Sequence, residues 1–446
     1  MPSGELTARQ TSPDTIAAVA TPPGRGGVGI VRVSGPLAAD IARRLLGRIP
    51  GERRAVHAVF RNRGGGRIDE GIALFFAAPR SYTGEDVLEL QGHGGPVVMH
   101  EVLSAVLDAG ARPAEPGEFT RRAYLSGKLD LAQAEAVADL IDAASREAAR
   151  SAMRSLSGEF SSAIDALAGR LTELRALTEA MLDFPEEDVD AMHRDDAMAR
   201  LEQIRADLSE VLRKSRQGSL LRSCIHVVLA GRPNVGKSSL LNRLAGEERA
   251  IVASVPGTTR DAVREPIQVR GVPIILVDTA GLRETSDEVE LLGMARTRQE
   301  VARADVVIVV TEAGQAETPE APIPEGAARI DVINKIDLAA GLAPGREGSR
   351  IFVSARSGAG IEALRDALIE AAGGSVAGEG VFLARERHLR ALRAAAERVE
   401  AAARSGGWEF FAEELRLAQE SLGEITGRVS ADDLLGEIFA KFCIGK

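Results

Sequence analysis

The spacing of hydrophobic residues divides the chain into three regions. Between residues 1 and about 125, short apolar runs typical of strands, such as DTIAAVAT and VGIVRVSG, alternate with stretches of helical spacing. One of these stretches, PVVMHEVLSAVLDAG, predicts a helix that ends at Gly110. The alternation predicts a mixed α/β domain over residues 1–125.

The second region is helical. From about residue 130, apolar residues recur every three or four positions, which predicts a long helix or two before DFPEEDVD and another helix after it. The same pattern returns from about residue 384 to 442. We interpret residues 126–220 and 377–446 as one discontinuous helical domain, because neither stretch has an obvious complete core. Two independent helical domains are the alternative.

The third region lies between these helical stretches. Over residues 221–376 the β-rich runs SCIHVVLAG, VPIILVDT, ADVVIVVT, ARIDVINK and SRIFVSA alternate with helical segments or loops. This pattern predicts a parallel, doubly wound sheet. A domain can be inserted into a bundle loop when its own ends lie close together. The predicted fold class is therefore multidomain, α/β plus all-α.

Composition is consistent with this picture. The chain has 446 residues, 27% of them charged and 45% hydrophobic, which is ordinary for a globular protein of about three domains. The first residues lack the apolar core of a signal peptide, and no apolar run is long enough to span a bilayer, so we expect a cytoplasmic protein. The two cysteines, Cys224 and Cys443, make no disulfide framework.

The net charge and the distribution of arginines bear differently on nucleic-acid binding. The net charge is −10, which does not favour nucleic-acid binding by the chain as a whole. Arginines nevertheless cluster locally, and a solvated face and a nucleic-acid contact are the two explanations. The clustered residues are Arg43, Arg44, Arg53, Arg54, Arg61, Arg63 and Arg67, with a separate pair at Arg121 and Arg122.

The motif with the clearest chemistry is GRPNVGKS, from Gly231 to Ser238. It follows an apolar strand and opens a helix, which is the context of a phosphate-binding loop. Backbone N–H groups then converge at the positive end of a helix dipole. Lys237 is expected to reach the β and γ phosphates, and the Ser238 hydroxyl to bind Mg²⁺.

Further motifs follow in the order that a GTPase needs. DTAG ends a strand and places Asp278 to hold Mg²⁺ through water, and GTTRD supplies Thr259 as the switch threonine for Mg²⁺. In NKID the carboxylate of Asp337 suits the N1 and N2 donors of guanine, and SAR backs the base. The predicted nucleotide contacts are Asn234, Val235, Gly236, Lys237, Ser238, Ser239, Thr258, Thr259, Asp278, Thr279, Ala280, Gly281, Asn334, Lys335, Asp337, Ser354, Ala355 and Arg356.

Hydrolysis needs a residue that positions water. Small GTPases use a glutamine just after the DTAG glycine, but here that position is Leu282, whose side chain cannot hydrogen-bond. Arg260, Arg283 and Arg296 are candidate arginine fingers, although a solvated surface is the more common fate of such residues. The acidic stretch that ends in Glu290 is expected to form the mobile second switch.

The chain ends in KFCIGK, which has the format of a prenylation box. Its last residue, Lys446, and its glycine make that interpretation poor, and no polybasic signal precedes it. The preceding DDLLGEIFAKF has amphipathic helical spacing and would deliver the tail to a fixed place.

With these motifs in view, the sequence resembles the MnmE (TrmE) family of tRNA-modification GTPases over essentially its full length. The resemblance implies an N-terminal α/β folate-binding-like domain, a discontinuous helical domain and an inserted Ras-like G domain. The matching stretches are DTIAAVATPPGRGGVGIVRVSG, SYTGEDVLELQGHGG, PGEFTRRAYLSGKLDLAQAEAVADLIDA, GRPNVGKSSLLN, PGTTRD, DTAGLRETSDEVE and FCIGK.

The resemblance implies a K⁺-dependent GTPase whose G domains dimerise on GTP binding. Asn234 matches the K⁺-ligating asparagine of the family, with Ala253, Val255 and Thr258 as further ligands. A cation beside the β and γ phosphates can do the work of an arginine finger. Glu290 matches the catalytic glutamate that orients water, which fills the gap left at Leu282.

The resemblance also implies a homodimer through the N-terminal domain and a 5-formyltetrahydrofolate-type cofactor. The matching positions are Arg32, Glu89, Lys128 and Lys446. Cys443 would lie near this pocket, with a nucleophilic role as a hypothesis, because only a lowered pKa makes a thiol reactive. The family works with the FAD-binding protein MnmG to install an aminomethyl or carboxymethylaminomethyl group at C5 of the wobble uridine of certain tRNAs.

Two other functions compete with this interpretation. One is a regulatory GTPase that acts only as a nucleotide-gated binding module, for example in ribosome assembly. The other is a helical scaffold with an inactive G domain, which the intact Lys237, Ser238, Thr259 and Asp278 argue against.

Overall fold

The computed structural model describes most of the chain, which folds into two compact units. One unit contains residues 1–138 with 426–446, and the other contains residues 139–425. The hydrophobic pattern instead groups 426–446 with the helical domain, and the domain boundaries drawn from it stay a prediction. The described residues are 14–183, 190–222, 225–246, 264–278, 302, 304–314, 323–324, 327–339, 341–371, 380–428, 432–440 and 442–445.

Helices and strands are numbered in chain order. The helices are α1 (Ala38–Leu46), α2 (Pro96–Asp108), α3 (Glu118–Leu125), α4 (Leu131–Ile141), α5 (Arg146–Leu156), α6 (Glu159–Asp183), α7 (Asp190–Arg222), α8 (Lys237–Ala245), α9 (Ile361–Ala371), α10 (Glu386–Ala403), α11 (Trp408–Thr426) and α12 (Asp432–Phe439). The strands are β1 (Ile16–Val19), β2 (Gly26–Ser34), β3 (Val56–Arg61), β4 (Arg67–Phe76), β5 (Val87–Gly94), β6 (Arg112–Pro113), β7 (Ile225–Ala230), β8 (Arg264–Val269), β9 (Val272–Asp278), β10 (Val306–Glu312), β11 (Ala328–Asn334), β12 (Gly345–Glu347) and β13 (Arg350–Phe352).

The first unit is built on a six-stranded sheet in the order β3-β4-β5-β2-β1-β6. Its strands pair antiparallel, except that β6 runs parallel to β1. Alternate residues of β2, Val31 and Val33, are fully buried and share a core with Ile41 of α1 and Val102 of α2. The other face of β2 carries Arg32, beside a smaller buried cluster formed by Ile16, Ala18, Ala114 and Phe119.

The same unit contains the end of the chain. Leu131 of α4 and Phe439 of α12 belong to a second buried cluster, to which Phe442 also contributes. The amphipathic helix predicted before the tail is therefore present, and its apolar side is buried. This packing fixes where the last described residues leave α12.

The helices that follow the first sheet along the chain correct one prediction. Three helices, α4, α5 and α6, cover the stretch for which the sequence predicts one or two. Ser145 caps α5, with its side chain accepting a hydrogen bond from the Ala148 amide, and Gly158 follows the helix at φ +88°. The prediction was wrong because the breaks carry no proline, and a serine cap is a weak signal within an Ala-rich stretch.

The sheet of the second unit has seven strands in the order β12-β13-β11-β10-β7-β9-β8. All five runs predicted as strands are confirmed, as β7, β9, β10, β11 and β13, and these pair in parallel. The edge strands β8 and β12, which the sequence did not predict, pair antiparallel. The predicted fold class is confirmed, with a parallel sheet that has antiparallel edges.

No described helix combines the length and the apolar character needed to cross a bilayer.

Candidate active site

The phosphate-binding loop leaves the carboxyl end of β7 at the centre of the second sheet. Two of its glycines have positive φ, Gly231 at +146° and Gly236 at +94°. A Cβ atom would lie 2.3 Å from the Val310 carbonyl oxygen at Gly231 and 2.3 Å from the Asn334 amide nitrogen at Gly236. Only glycine fits at either position, so the loop packs closely and its backbone N–H groups can approach phosphate.

Lys237 is the first residue of α8 and is buried. Its Nζ donates hydrogen bonds to the carbonyl oxygens of Gly231, at 2.8 Å, and Arg232, at 3.0 Å. These bonds fold the ammonium back over the loop. They place a positive charge at the positive end of the helix dipole, which favours an anion at this point.

Asn334 joins the phosphate-binding loop to the rest of the site. It ends β11, its side chain is 1% exposed, and its Nδ2 donates to the Val235 carbonyl at 2.9 Å. Its Oδ1 accepts a hydrogen bond from the Ala355 amide at 3.0 Å. One amide side chain therefore uses both its ends to hold two loops at a fixed separation.

Asp337 lies beside these loops. Its Oδ1 accepts a hydrogen bond from the Ser354 hydroxyl at 2.6 Å, which orients the carboxylate. The neighbouring Lys335 has φ +63° and pairs with Glu312 at 3.1 Å. Together the loops enclose a cavity of about 180 Å³. It is lined by Gly236, Ser239, Asn334, Lys335, Asp337, Leu338, Ala355 and Arg356.

Two residues that build this cavity were not predicted from the sequence. Arg243 of α8 donates hydrogen bonds to the carbonyl oxygens of Ala355, at 3.0 Å, and Arg356, at 2.6 Å. These bonds fix the position of the loop after β13 relative to α8. Glu312 holds Lys335 from the end of β10. No sequence signal pairs Arg243 with residues more than a hundred positions away, because the contact depends on how α8 packs against the sheet.

Several predicted site residues are outside the part of the chain that the structure describes. The backbone of Asp278 ends β9 next to the phosphate-binding loop's own strand, as a Mg²⁺-binding aspartate requires, but its side chain is not described. Outside the described residues lie Ala253, Val255, Thr258, Thr259, Arg260, Thr279, Ala280, Gly281, Leu282, Arg283, Glu290, Arg296 and Lys446. Their predicted roles stay predictions.

A second polar site lies on the face of the first sheet that carries Arg32. Arg32 of β2 stands directly opposite Glu89 of β5, and their side chains form an ion pair with Nη2 and Oε1 2.9 Å apart. The guanidinium carbon lies 5.7 Å from the ring centre of Tyr82 and 5.8 Å from that of Phe119. The pair is only partly exposed, so the two predicted folate ligands form a charged, aromatic-walled site.

The chain terminus reaches this second site. Ile444 forms a β-bridge with Pro116, and the Gly445 carbonyl accepts a hydrogen bond from Arg32 at 3.5 Å. Gly445 has φ +99°, and a Cβ atom there would lie 2.4 Å from the Val19 carbonyl oxygen. Cys443 is exposed. Residues 442–445 of the tail therefore belong to the Arg32 site.

Lys128 is the remaining described residue of the predicted folate set. It is exposed in the turn after α3. Among the contacts of the described residues, none joins Lys128 to Arg32 or Glu89.

Arg122, one of the two adjacent arginines singled out in the sequence, is largely buried. The Arg122 side chain is 13% exposed and forms ion pairs with Asp14, Glu85 and Glu118, so neither a solvated face nor a nucleic-acid contact describes it. Burial raises the pKa of Glu118, but hydrogen bonds from Arg112, from the Glu115 amide and from Arg122 outweigh it, and the net pKa is below the ordinary value. This network ties α3 to the first sheet.

The site in the second unit defines a class of protein. A glycine-rich loop with a buried lysine, linked through Asn334 to an oriented carboxylate at the ends of parallel strands, is the arrangement of a P-loop guanine-nucleotide-binding protein. Comparisons with known proteins identify the family. The family model described as "MnmE helical domain" matches residues 131–443, and "GTP-binding protein TrmE N-terminus" matches residues 15–128.

Full-length relatives agree. The tRNA modification GTPase MnmE of Azoarcus sp. (strain BH72) is 59% identical in an alignment of 445 residues that covers 97% of this chain and 98% of that one. Its counterpart in Thiobacillus denitrificans is 58% identical over 440 residues, with the same coverage of 97% and 98%. The chain belongs to the MnmE family of tRNA modification GTPases, and it is accordingly a GTP-hydrolysing enzyme.

Part of the chain is also similar to a solved structure, the G domain of the T. maritima FeoB iron transporter. That domain is 27% identical, and the match covers 34% of this chain and 99% of that chain. Its TM-score is 0.24, so the family assignment depends on the sequence relatives alone.

Proposed function

We propose that this chain is a cytoplasmic, K⁺-dependent GTPase that works with an FAD-binding partner, MnmG, on tRNA. Together they install an aminomethyl or carboxymethylaminomethyl group at C5 of the wobble uridine of certain tRNAs. The observation that carries the GTPase part is the Asn334 bridge. Asn334 joins the loop of Lys237, through the Val235 carbonyl, to the loop after β13, through the Ala355 amide. Ser354 of that second loop orients the Asp337 carboxylate, so connected loops would bind both the phosphates and the base.

The residues present fit GTP and Mg²⁺. Lys237 and the glycine turns suit the phosphates, and the Asp337 carboxylate suits the two N–H groups of a guanine edge. Ser238, the second residue of α8, would hold Mg²⁺, with Thr259 as the second protein ligand. When bound, Mg²⁺ offsets negative charge on the β and γ phosphates.

A fit to K⁺ is supported at Asn234. This exposed residue adopts the left-handed backbone conformation, with φ +66°, and its amide oxygen is a suitable ligand for a hard cation. A monovalent cation here would offset charge that develops between the β and γ phosphates. Glu290 would orient the attacking water, since Leu282 cannot.

The test is GTP hydrolysis in matched KCl and NaCl buffers. Asn234→Gly removes the amide and still allows the left-handed backbone, so we expect it to abolish the K⁺ stimulation, with a loss of about a hundredfold in turnover. Asn242→Ala, at an exposed position on α8, is the matched control. Equal rates for the wild-type protein in the two salts would remove the K⁺ assignment.

We also propose that the Arg32 site takes a 5-formyltetrahydrofolate-type cofactor. The Glu89 carboxylate can accept hydrogen bonds from the donor edge of a pterin, and Arg32 and the Tyr82 ring supply charge and an apolar wall. When bound, the cofactor supplies the one-carbon unit. Lys128 and Lys446 would hold its glutamate tail, and the exposed Cys443 would face the reacting groups.

Folate binding can be measured separately from GTP hydrolysis. Glu89→Gln keeps the size of the side chain but removes its charge, so we expect binding of 5-formyltetrahydrofolate, followed by calorimetry, to weaken at least about tenfold while GTP turnover is unchanged. Cys443→Ser should leave folate binding intact and stop tRNA modification. Normal modification by the Cys443→Ser protein would reduce this thiol to a structural role.

We also propose that the chain forms a homodimer through the first unit.

The experiment that tests the whole function is nucleoside analysis of tRNA from a deletion strain, with and without the wild-type gene restored. Unchanged wobble uridines in the deletion strain would favour a regulatory GTPase instead.

A further inference from the structure

Arginines are concentrated at one edge of the first sheet. Residues 43–67 contain eight arginines and one glutamate, within a chain whose net charge is −10. All eight arginines are exposed. Neither the GTP site nor the Arg32 site uses any of them.

Six of the eight have no ion pair among the described residues. Arg43 pairs with Asp40, and Arg67 pairs with Glu70. We call the other six the basic edge; they are Arg44, Arg48, Arg53, Arg54, Arg61 and Arg63. Their charge is therefore available to a partner.

The fold holds several of these guanidinium groups without neutralising them. Arg48 donates to the His57 carbonyl at 3.4 Å, Arg53 to the Arg80 carbonyl at 2.8 Å and Arg61 to the Gly65 carbonyl at 3.1 Å. A carbonyl oxygen accepts one N–H and leaves the positive charge and the other donors of the guanidinium exposed. These arginines are thus partly oriented for an external acceptor.

The basic edge follows the last strand of the sheet. β3 is the terminal strand, α1 and the loop after it lead into one end, and the turn to β4 lies at the other end. The strand has six residues and so extends about 20 Å. Charges at both ends and along the adjacent loop therefore form an extended surface rather than a single point.

The register of β3 and β4 indicates that this charge does not serve the stability of the fold. Arg61 of β3 pairs in register with Arg67 of β4, just after an irregularity between Phe60 and Arg61. Like charges opposite each other on paired strands destabilise a sheet. Glu70 compensates Arg67 alone. An external anion would relieve this repulsion.

Arginines elsewhere on the surface are different. On α7, Arg200, Arg205 and Arg213 each pair with a carboxylate three or four positions away on the same helix. They form a solvated face of balanced charge. The contrast makes the basic edge a distinct feature rather than a consequence of an arginine-rich composition.

We propose that the basic edge binds the phosphate backbone of tRNA. This rests on the proposed function, which makes tRNA the substrate, and it adds where this acidic chain would hold the RNA. Arginine presents a planar, always-charged fork that matches phosphate oxygens, and a run of such forks binds a polyanion mainly through counterion release. The contacts would position the RNA without reading its sequence.

The test measures tRNA binding by the full-length protein at several KCl concentrations. The variant is the triple substitution Arg54→Gln, Arg61→Gln and Arg63→Gln. The probe is fluorescently labelled bulk tRNA from the deletion strain. We expect the affinity to fall about tenfold or more, and the slope of log affinity against log salt to decrease in magnitude by about three.

The matched control is Arg200→Gln, Arg205→Gln and Arg213→Gln, which removes the same charge from α7. We expect wild-type tRNA affinity from the control, and wild-type GTP turnover and folate binding from both proteins. Equal losses in the two triple variants would overturn the proposal, because net charge alone would then explain them.

Two further outcomes would also overturn it. Wild-type protein that fails to bind tRNA at low salt would place the RNA contacts on the partner, while GTP turnover and the modified nucleoside would still support the proposed function. A change in oligomeric state with unchanged tRNA affinity, seen by light scattering, would make the basic edge a protein contact.

Discussion

Asn334 shows how much of the nucleotide site depends on a single side chain. Its amide donates to the phosphate-binding loop and accepts from the loop after β13, and it is almost fully buried. The same amide nitrogen would lie 2.3 Å from a Cβ at Gly236, so the geometry of the phosphate-binding loop is coupled to the position of Asn334. Asp337, held by Ser354, lines the same cavity.

At this scale we predict that Asp337→Asn changes the preferred nucleotide. The amide replaces an acceptor that guanine needs with a donor, so the preference should move from GTP toward xanthosine triphosphate, by at least about tenfold in a competition assay. Asp331→Asn is the control, because Asp331 belongs to the neighbouring strand β11 but pairs with Arg329. Unchanged discrimination by Asp337→Asn would exclude this carboxylate from base recognition.

At the scale of elements, one carboxylate joins the segments that enter and leave the G domain. Asp139 of α4 is buried and accepts hydrogen bonds from Arg222, the last residue of α7, and from Arg385, which precedes α10. Within the same two segments, a Cβ at Gly218 would lie 1.7 Å from the Phe382 carbonyl oxygen. The end of α7 and the segment before α10 therefore pack against each other, and the ion pairs of Asp139 with Arg222 and Arg385 join them.

We predict that Asp139→Ala loosens this junction. The change leaves the largely buried Arg385 without this carboxylate, so the free energy of unfolding of the junction should fall by about 3 kcal/mol. Hydrogen exchange at the end of α7 and the start of α10 measures this directly. Asp196→Ala, which breaks an exposed pair with Arg200, should change protection by less than about 1 kcal/mol. Equal effects from the two substitutions would contradict a special role for Asp139.

At the scale of the whole molecule, the distribution of charge matters more than its sum. The first unit contains both the buried Arg122 network and the exposed basic edge, although the chain has a net charge of −10. Buried ion pairs make stability depend on pH, whereas exposed uncompensated arginines make binding depend on salt. The two properties can therefore be separated by experiment.

We predict that the first unit loses stability in acid. The pKa of Glu118 is lowered below its ordinary value of 4.5, so its contribution is complete above that value and is lost as the pH falls through the folded pKa. Thermal unfolding followed between about pH 6 and about pH 3 should show a steep fall in midpoint for the wild-type protein. Glu118→Gln should lower the midpoint at the upper end of this range and flatten the fall, and parallel curves would contradict the prediction.

Local patterns predicted that the chain is a GTPase. A strand, a glycine-rich turn and a helix are encoded within about 20 residues, and the NKID and SAR motifs stand at the ends of strands, so each motif and its backbone context were predictable from short stretches. The five parallel strands were confirmed for the same reason. The edge strands β8 and β12 and the break at Ser145 were missed, because pairing partners and caps decide them rather than periodicity.

The terminal KFCIGK illustrates the limit of the sequence. Its composition allowed a lipid anchor, a frayed end or part of a site, and only the packing of Phe442 and the hydrogen bond from Arg32 to Gly445 place residues 442–445 near the Arg32–Glu89 pair. The sequence by itself determined the class of chemistry, because phosphate and guanine recognition use short contiguous motifs. The tertiary structure alone decided the contacts of Arg243 and the Asp139 junction, because these depend on which groups meet across long sequence separations, and no local pattern encodes that. It also decided which arginines of the local cluster lack an ion pair among the described residues.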